Sequence, residues 1–495
     1  MTPPSRLMLA LALAACALLA TAASASASRN QVTILQDDSQ LIGAKGERRD
    51  ATLDEWKSLG VDIVKLRVDW RDLSPDDKPG DPSDPAAYRA NLWQLYDQAI
   101  RGAQERGMQV FLMLGGQAPK WASEDSPEGL PGGVHRPSAN LFGDFVKAVG
   151  KRYSGSYTAP PGDYSDPLPL PRVAIWSMWN EPNLASWLSP QNEAPELYRK
   201  LLYAGFDGLN ATGHGADTLL YGELLPFARG NRTLGVRRHP LEFLRELACV
   251  DQRFRPYKGS KATKRGCQDF RPLPGTGAAH HPYTLSGGPR VKSPNRDDAS
   301  IAEMDRLIKT VDKLRSRKRF AARGRQAVWS TEFGFQSDPP DPFQTPIKKV
   351  PGYMGEAEWI AFKNPRIGAW SQYPFTDDPI PDTGADRFGG FQSGIKFENG
   401  RSKPGVYDAF RFPFYVRRLS GSKVEVFGAV RPAGQGAAVR IESRVGRGKW
   451  KRLATLKAGA QGYFDRNLKA SGAAKRQFRF RFEKSKSRTA RAAKR

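Results

Sequence analysis

The chain has 495 residues, 39% of them hydrophobic, with 25 Phe, 15 Tyr and 11 Trp, which excludes both a chain disordered throughout and a single small core. The net charge of +26 is uneven: from Arg401 to Arg495, 26 Lys and Arg stand against 5 Asp and Glu, so +21 lies in that stretch and about +5 in the rest. With only 5 His, no H-E-x-x-H and no Cys–His ligand spacing, the composition argues against a metal enzyme, and no cofactor is called for.

The first 27 residues read as an export signal. Arg6 gives a short positive region, Leu7 to Ala22 is apolar, and Ala25-Ser26-Ala27 is an A-x-A cleavage site. Leu13-Ala14-Ala15-Cys16 also fits a lipid-attachment pattern, but the residues after Cys16 stay apolar as in an ordinary signal, so a soluble secreted protein is expected. No later apolar run is long enough to span a membrane. Cleavage would leave Cys249 and Cys267, a pair expected to form a disulfide across a basic loop.

Eight short apolar runs then follow in order: "VTILQ", "VDIVKLRVDW", "MQVFLMLGG", "RVAIWSMWN", "TLLYGELL", "GAAHHPYT", "QAVWSTEFGF" and "RIGAWSQY". The sixth is the weakest strand candidate, because Gly and His form strands poorly. Amphipathic segments separate them. In one, Leu92, Leu95, Tyr96, Ala99, Ile100 and Ala103 fall on one helical stripe that Gly107 would cap. Eight strand–helix units fit an α/β (β/α)8 TIM barrel over residues 28–418, its last helix in "KPGVYDAFRFPFYVRR". A doubly wound open sheet is the competing topology. From residue 419 to 484 the period changes to two, with Phe478, Phe480 and Phe482 on one face, which predicts a small β-sandwich. Residues 485–495 read as a basic disordered tail.

In such a barrel the reacting side chains sit at the C-terminal ends of the strands. Strand four ends at Asn180-Glu181, strand seven at Thr331-Glu332 and strand six at His281-Pro282-Tyr283; strand two carries Arg67 and strand eight Trp370. Two glutamates facing each other across one mouth are what acid–base cleavage of a glycosidic bond needs. Each alone has a plain structural reading, as a carboxylate at a helix N-terminus. Glu223, in "YGELLP", is a rival carboxylate read as cleft lining or structural.

"WNEPN" (Trp179 to Asn183) followed far downstream by "WSTEFGF" (Trp329 to Phe335) resembles glycoside hydrolase clan A, within it the cellulase-like family 5 and the family 39 enzymes. The resemblance spans roughly residues 30 to 416 and implies a retaining β-glycosidase. It implies Glu181 as acid/base, Glu332 as nucleophile and Asn180 as the group that bonds the sugar 2-hydroxyl. It further implies Arg67 and Tyr283 as groups keeping Glu332 ionised, His281 as neighbour of the acid/base, and Trp370 as the floor on which the sugar stacks. "RVDWRDLSP" after strand two matches no single family.

Trp187 is the best further candidate for sugar stacking; Trp70, Trp121 and Phe375 also fall just past strand ends, while Trp176 and Trp179 read as core. The expected partner is a carbohydrate substrate, with a polyanionic or cell-wall polymer as a candidate ligand of the basic terminal domain. Nucleic acid is disfavoured, and a monomer is expected. A glycan-binding protein without turnover, or a transglycosylase using the same residues, are the rival functions.

Overall fold

The computed structural model describes residues 28–44, 46–160, 169–228, 237–284, 287–322, 324–381, 383, 387–432 and 434–494. The expected signal, with its cleavage site and Cys16, lies outside them. Among the described residues no helix is long and apolar enough to cross a membrane.

Eight parallel strands close into a barrel: β1 (Val32–Gln36), β2 (Ile63–Asp69), β3 (Gln109–Gly115), β4 (Ile175–Met178), β5 (Thr218–Leu224), β6 (Gly277–His280), β7 (Ala327–Ser330) and β8 (Ile367–Gln372). Each pairs with its neighbours in sequence, and β8 returns to β1 through Val32–Ala369 and Leu35–Gln372. The principal helices between and after them are α1 (Glu47–Ser58), α2 (Ala90–Glu105), α3 (Ala139–Arg152), α4 (Ala194–Ala211), α5 (Pro240–Leu247), α6 (Met304–Ser316), α7 (Val350–Phe362) and α8 (Val406–Arg411). The open sheet is thereby excluded.

One side chain from each strand fills the lower barrel: Ile34, Ile63, Phe111, Ile175, Leu220, Ala279, Trp329 and Ala369. The small residues of the weak sixth strand have a steric reason: a Cβ on Gly277 would meet the Ala327 carbonyl oxygen at 2.9 Å and Leu220 Cδ2 at 3.0 Å. Most buried apolar side chains form the larger layer between barrel and helices. In α2 the buried face runs through Trp93, Tyr96, Ala99, Ile100 and Ala103, so Trp93 takes the place expected of Leu92, and Gly107 follows at φ +68°.

The sandwich starts earlier than expected. α8 stops at Arg411, Pro413 follows, and Phe414–Arg418 is a strand, β9, rather than helix. β9 pairs with β10 (Lys423–Ala429), which pairs with β13 (Tyr463–Lys469); β11 (Ala438–Val445), β12 (Lys451–Lys457) and β14 (Arg476–Phe482) form the opposing sheet. Val424, Val426, Val439, Ile441, Phe464, Phe478 and Phe480 fill the space between.

The tail is not disordered: Ser485–Lys486 and Ala490–Arg491 pair with β14, and Ala493 exchanges backbone hydrogen bonds with Val416 and Arg418. Small Ser487 and Ala490 turn inward, half-buried Arg488 donates to the Phe414 carbonyl at 2.8 Å, and Lys486 and Arg491 face solvent, so backbone pairing and a few inward contacts hold the segment despite its charge. The sandwich docks on α7, where buried Arg431 pairs with buried Glu358 and the Tyr463 hydroxyl donates to Glu358 at 2.7 Å.

Candidate active site

Above the apolar layer the barrel turns polar. Lys65 (β2), Ser177 (β4), Glu223 (β5), His281 (after β6) and Thr331 (after β7) all converge, each with almost no exposure. Glu223 is the hub. It accepts from Lys65 Nζ at 3.1 Å, His281 Nε2 at 2.7 Å, Ser177 Oγ at 2.6 Å and Thr331 Oγ1 at 2.5 Å. Burial opposes its charge, but Lys65 and His281 outweigh that and hold its carboxyl well below the usual range. Glu223 is therefore a buried anchor and not part of the open cleft.

The two predicted glutamates come together one level higher. His281 Nδ1 lies 2.9 Å from Glu181 Oε1 and 3.4 Å from Glu332 Oε2. Glu181, His281 and Glu332 each place one donor atom within 4.8 Å of the others. Tyr283 donates its hydroxyl to Glu332 Oε2 at 3.2 Å. Burial alone would lower the imidazole of His281, but the charge of Glu332 and the hydrogen bonds to Glu181 and Glu223 raise it to about 9. Both ring nitrogens then donate, Nε2 to Glu223 and Nδ1 towards Glu181.

Glu181 differs from Glu223 although both are buried. Desolvation raises its carboxyl above the ordinary value; His281 opposes and the charge of Glu332 adds to the rise. Its backbone is fixed by an N–H donated to the Glu223 carbonyl at 3.0 Å, and both residues hold positive φ, 38° and 50°, as does Trp179 at 64°. Left-handed conformations at non-glycine residues are costly and collect at functional sites. Here they turn the chain sharply from β4 into the mouth. Asn180 is buried beside it, and its Oδ1 has no hydrogen-bond partner among the described residues, an acceptor open to a ligand hydroxyl.

Two expected roles need correction. Arg67 makes no ion pair with Glu332; the β2 cation within ion-pair distance is Lys65, at 3.6 Å, two residues deeper on the same face. Arg67 lies over the Trp187 ring at 5.3 Å, with Asp69 at 3.4 Å; burial works against its charge, and Asp38 and Asp69 outweigh that. It lines the mouth together with half-buried Trp187. Trp370 is not a floor for sugar. Ala369 faces the lumen, so alternation sends Trp370 outward, where it packs on Phe333 at 4.6 Å. Tyr373, continuing the inward parity of Ala369, takes the position at the cleft: burial and the charge of Glu332 push its hydroxyl well up. Phase counted from Ala369 would have found it.

Trp70 is fully buried against Phe142 and Phe145, Phe375 is buried against Trp56, and half-buried Trp121 donates to the Pro75 carbonyl, so none is an open stacking platform. Trp176 and Trp179 are core, as read. Arg237, which no motif marked, faces Glu181, and its Nε has no partner among the described residues. Cys249 and Cys267 form the expected disulfide.

No family model matches the chain, and no curated protein matches it. Solved structures with a similar fold include a GH39 enzyme from Xanthomonas axonopodis pv. citri, at 14% identity over 92% of this chain and 94% of that one, with a TM-score of 0.48. A GH5_18 protein from Bifidobacterium longum subsp. infantis is 15% identical over 78% of each chain, with a TM-score of 0.45. The exo-beta-1,4-mannosidase Op5Man5 from Opitutaceae bacterium strain TAV5 is 15% identical over 79% of this chain and 61% of that one, with a TM-score of 0.44. At these identities and scores the likeness is one of fold.

Proposed function

We propose that the chain is a secreted glycoside hydrolase that cleaves β-glycosidic bonds with retention of configuration. The observation that carries the reading is the meeting of Glu181 and Glu332 at one mouth, with oxygens within 4.8 Å and His281 between them. Retaining enzymes hold their carboxyls about 5–5.5 Å apart, and inverting ones leave about 6.5–9.5 Å for a water.

The surrounding charges support a division of roles. Glu332, beside Lys65 and the Tyr283 hydroxyl, is the nucleophile; it attacks the anomeric carbon and the glycosidic C–O bond breaks. Glu181, raised by burial and by the charge of Glu332, enters protonated and gives its proton to the leaving oxygen. Esterified Glu332 carries no charge, so one cause of the rise disappears and Glu181 becomes the base that deprotonates the incoming water. Asn180 Oδ1 accepts from a sugar hydroxyl in the cleavage subsite, and Trp187, Arg67 and Tyr373 border it. Attack by a second sugar in place of water would make the same site a transglycosylase.

Incubation with a panel of 2-deoxy-2-fluoro glycosides followed by mass spectrometry tests the reading. A covalent adduct on the peptide holding Glu332 is expected. Loss of the adduct in Glu332→Gln but not in wild type supports the assignment. An unmodified Glu332 after every sugar that binds the cleft leaves only the glycan-binding rival.

A further inference from the structure

The outer face of the β11–β12–β14 sheet carries an arrangement that folding alone does not favour. Arg440 on β11 stands directly opposite Arg481 on β14, and Arg481 directly opposite Lys486. Neighbouring strands lie about 4.8 Å apart, and like charges placed opposite one another destabilise a sheet. The next row holds one acid between two arginines: Glu442 sits between Arg452 and Arg479 and pairs with Arg479 at 2.7 Å, leaving Arg452 without an ion pair among the described residues.

Arg440, Arg452 and Arg481 line a concavity of about 360 Å³ with Ala438, Thr455 and Glu483, and none of the three makes an ion pair among the described residues. A larger basic hollow of about 630 Å³ beside the disulfide loop is the contrast: Arg238, Arg245, Arg255 and Arg265 there each pair with a carboxylate. Further along the same face, beyond the Glu442–Arg479 pair, half-buried Trp450 is held by Arg444 at 4.6 Å and Arg479 at 4.2 Å from its ring centre.

We propose that this concavity is a binding site for the carboxylates of an acidic polysaccharide. Guanidinium groups match planar carboxylates with two parallel hydrogen bonds, and three of them stand on adjacent strands around one concavity. A bound polyanion neutralises the Arg440–Arg481–Lys486 row and relieves its repulsion. The anion site stands on the sandwich alone; the choice of a sugar polymer as carrier of the carboxylates rests on the glycosidase reading of the barrel.

The test uses the full chain carrying Glu332→Gln, so that no cleavage alters the polymer, with polygalacturonate, a neutral β-glucan and inorganic polyphosphate as probes in calorimetry or affinity electrophoresis. Arg440→Glu/Arg481→Glu should weaken polygalacturonate binding at least tenfold and flatten its salt dependence. Lys423→Glu/Lys469→Glu makes the same charge change at an opposed pair on the other sheet and should weaken it less than threefold.

The unfolding midpoint of the arginine variant should not fall, which separates lost binding from lost folding. Equal losses in the two variants, or no loss in either, would overturn the site. Equal or tighter binding of polyphosphate at matched charge would overturn the carboxylate assignment. Cleavage of polymers by the Glu332 parent is scored separately, so failure of the glycosidase reading leaves the binding result intact.

Discussion

Replacing Glu223 by Gln tests the buried network directly. The substitution keeps shape and removes one charge. Ser177 and Thr331 can turn their hydroxyls to suit an amide, but Lys65 Nζ and a protonated His281 cannot accept from one. Lys65 is left with Glu332 at 3.6 Å and the Thr331 carbonyl at 3.4 Å. Breaking a buried ion pair from one side costs about 3–5 kcal/mol.

The raised imidazole bounds the part of this cost that passes through His281. His281 sits at about 9 against an ordinary 6.5, and each unit is worth about 1.4 kcal/mol, so its protonated form contributes on the order of 3 kcal/mol. The sign follows from the raised value: this stability is fully present below about pH 6.5 and is lost as pH rises through about 9. Glu223 supplies part of the rise, so in the variant the loss should begin at lower pH. Guanidinium unfolding of both proteins from pH 6 to pH 10 measures it. A cost under about 1 kcal/mol at pH 6, or an unmoved alkaline decline, would refute the account of Glu223 as anchor of an imidazolium.

Glu181→Ala should lower kcat on natural glycosides by about 10²–10⁴-fold, with a smaller loss on aryl glycosides whose leaving groups need no proton, and azide should restore turnover with a β-glycosyl azide visible by NMR. Asn180→Ala should reduce kcat/KM by about 10²-fold with the unfolding midpoint unchanged, because Asn180 Oδ1 bonds nothing in the protein. Trp370→Ala should cost about 3–5 kcal/mol in denaturant titrations and leave KM near wild type when folded, whereas Tyr373→Ala should raise KM with little loss of stability. Reducing the Cys249–Cys267 bond, 18 residues apart, should lower stability by about 3 kcal/mol without changing the pH profile.

What could be read from the sequence divides along physical lines. The barrel was legible because eight apolar runs and their helical stripes impose two different periods, and only burial on both faces explains strands such as "VFLML". Glu181 and Glu332 stood out as candidates because each ends an apolar strand, but Glu223 does the same and is a buried anchor, so that pattern alone assigns no role. The failures come where a period meets an irregularity. Trp370 lies one residue out of phase with the lumen: β8 shifts register against β7 between Ile367 and Ala369, and strand order alone cannot reveal such a bulge. Lys65 and Arg67 share one face of β2, so the pattern offers two cations at different depths, and only the height of Glu332 above the Ile63 layer decides which one meets it. The tail misled for another reason. Its composition is that of a solvated segment, yet Ser487 and Ala490 are small enough to turn inward, Arg488 finds the Phe414 carbonyl, and the backbone pairs with the sheet while Lys486 and Arg491 stay in solvent. Composition counts charges; pairing depends on where they point, and that same distinction separates the paired Glu442–Arg479 row from the unpaired arginines beside it.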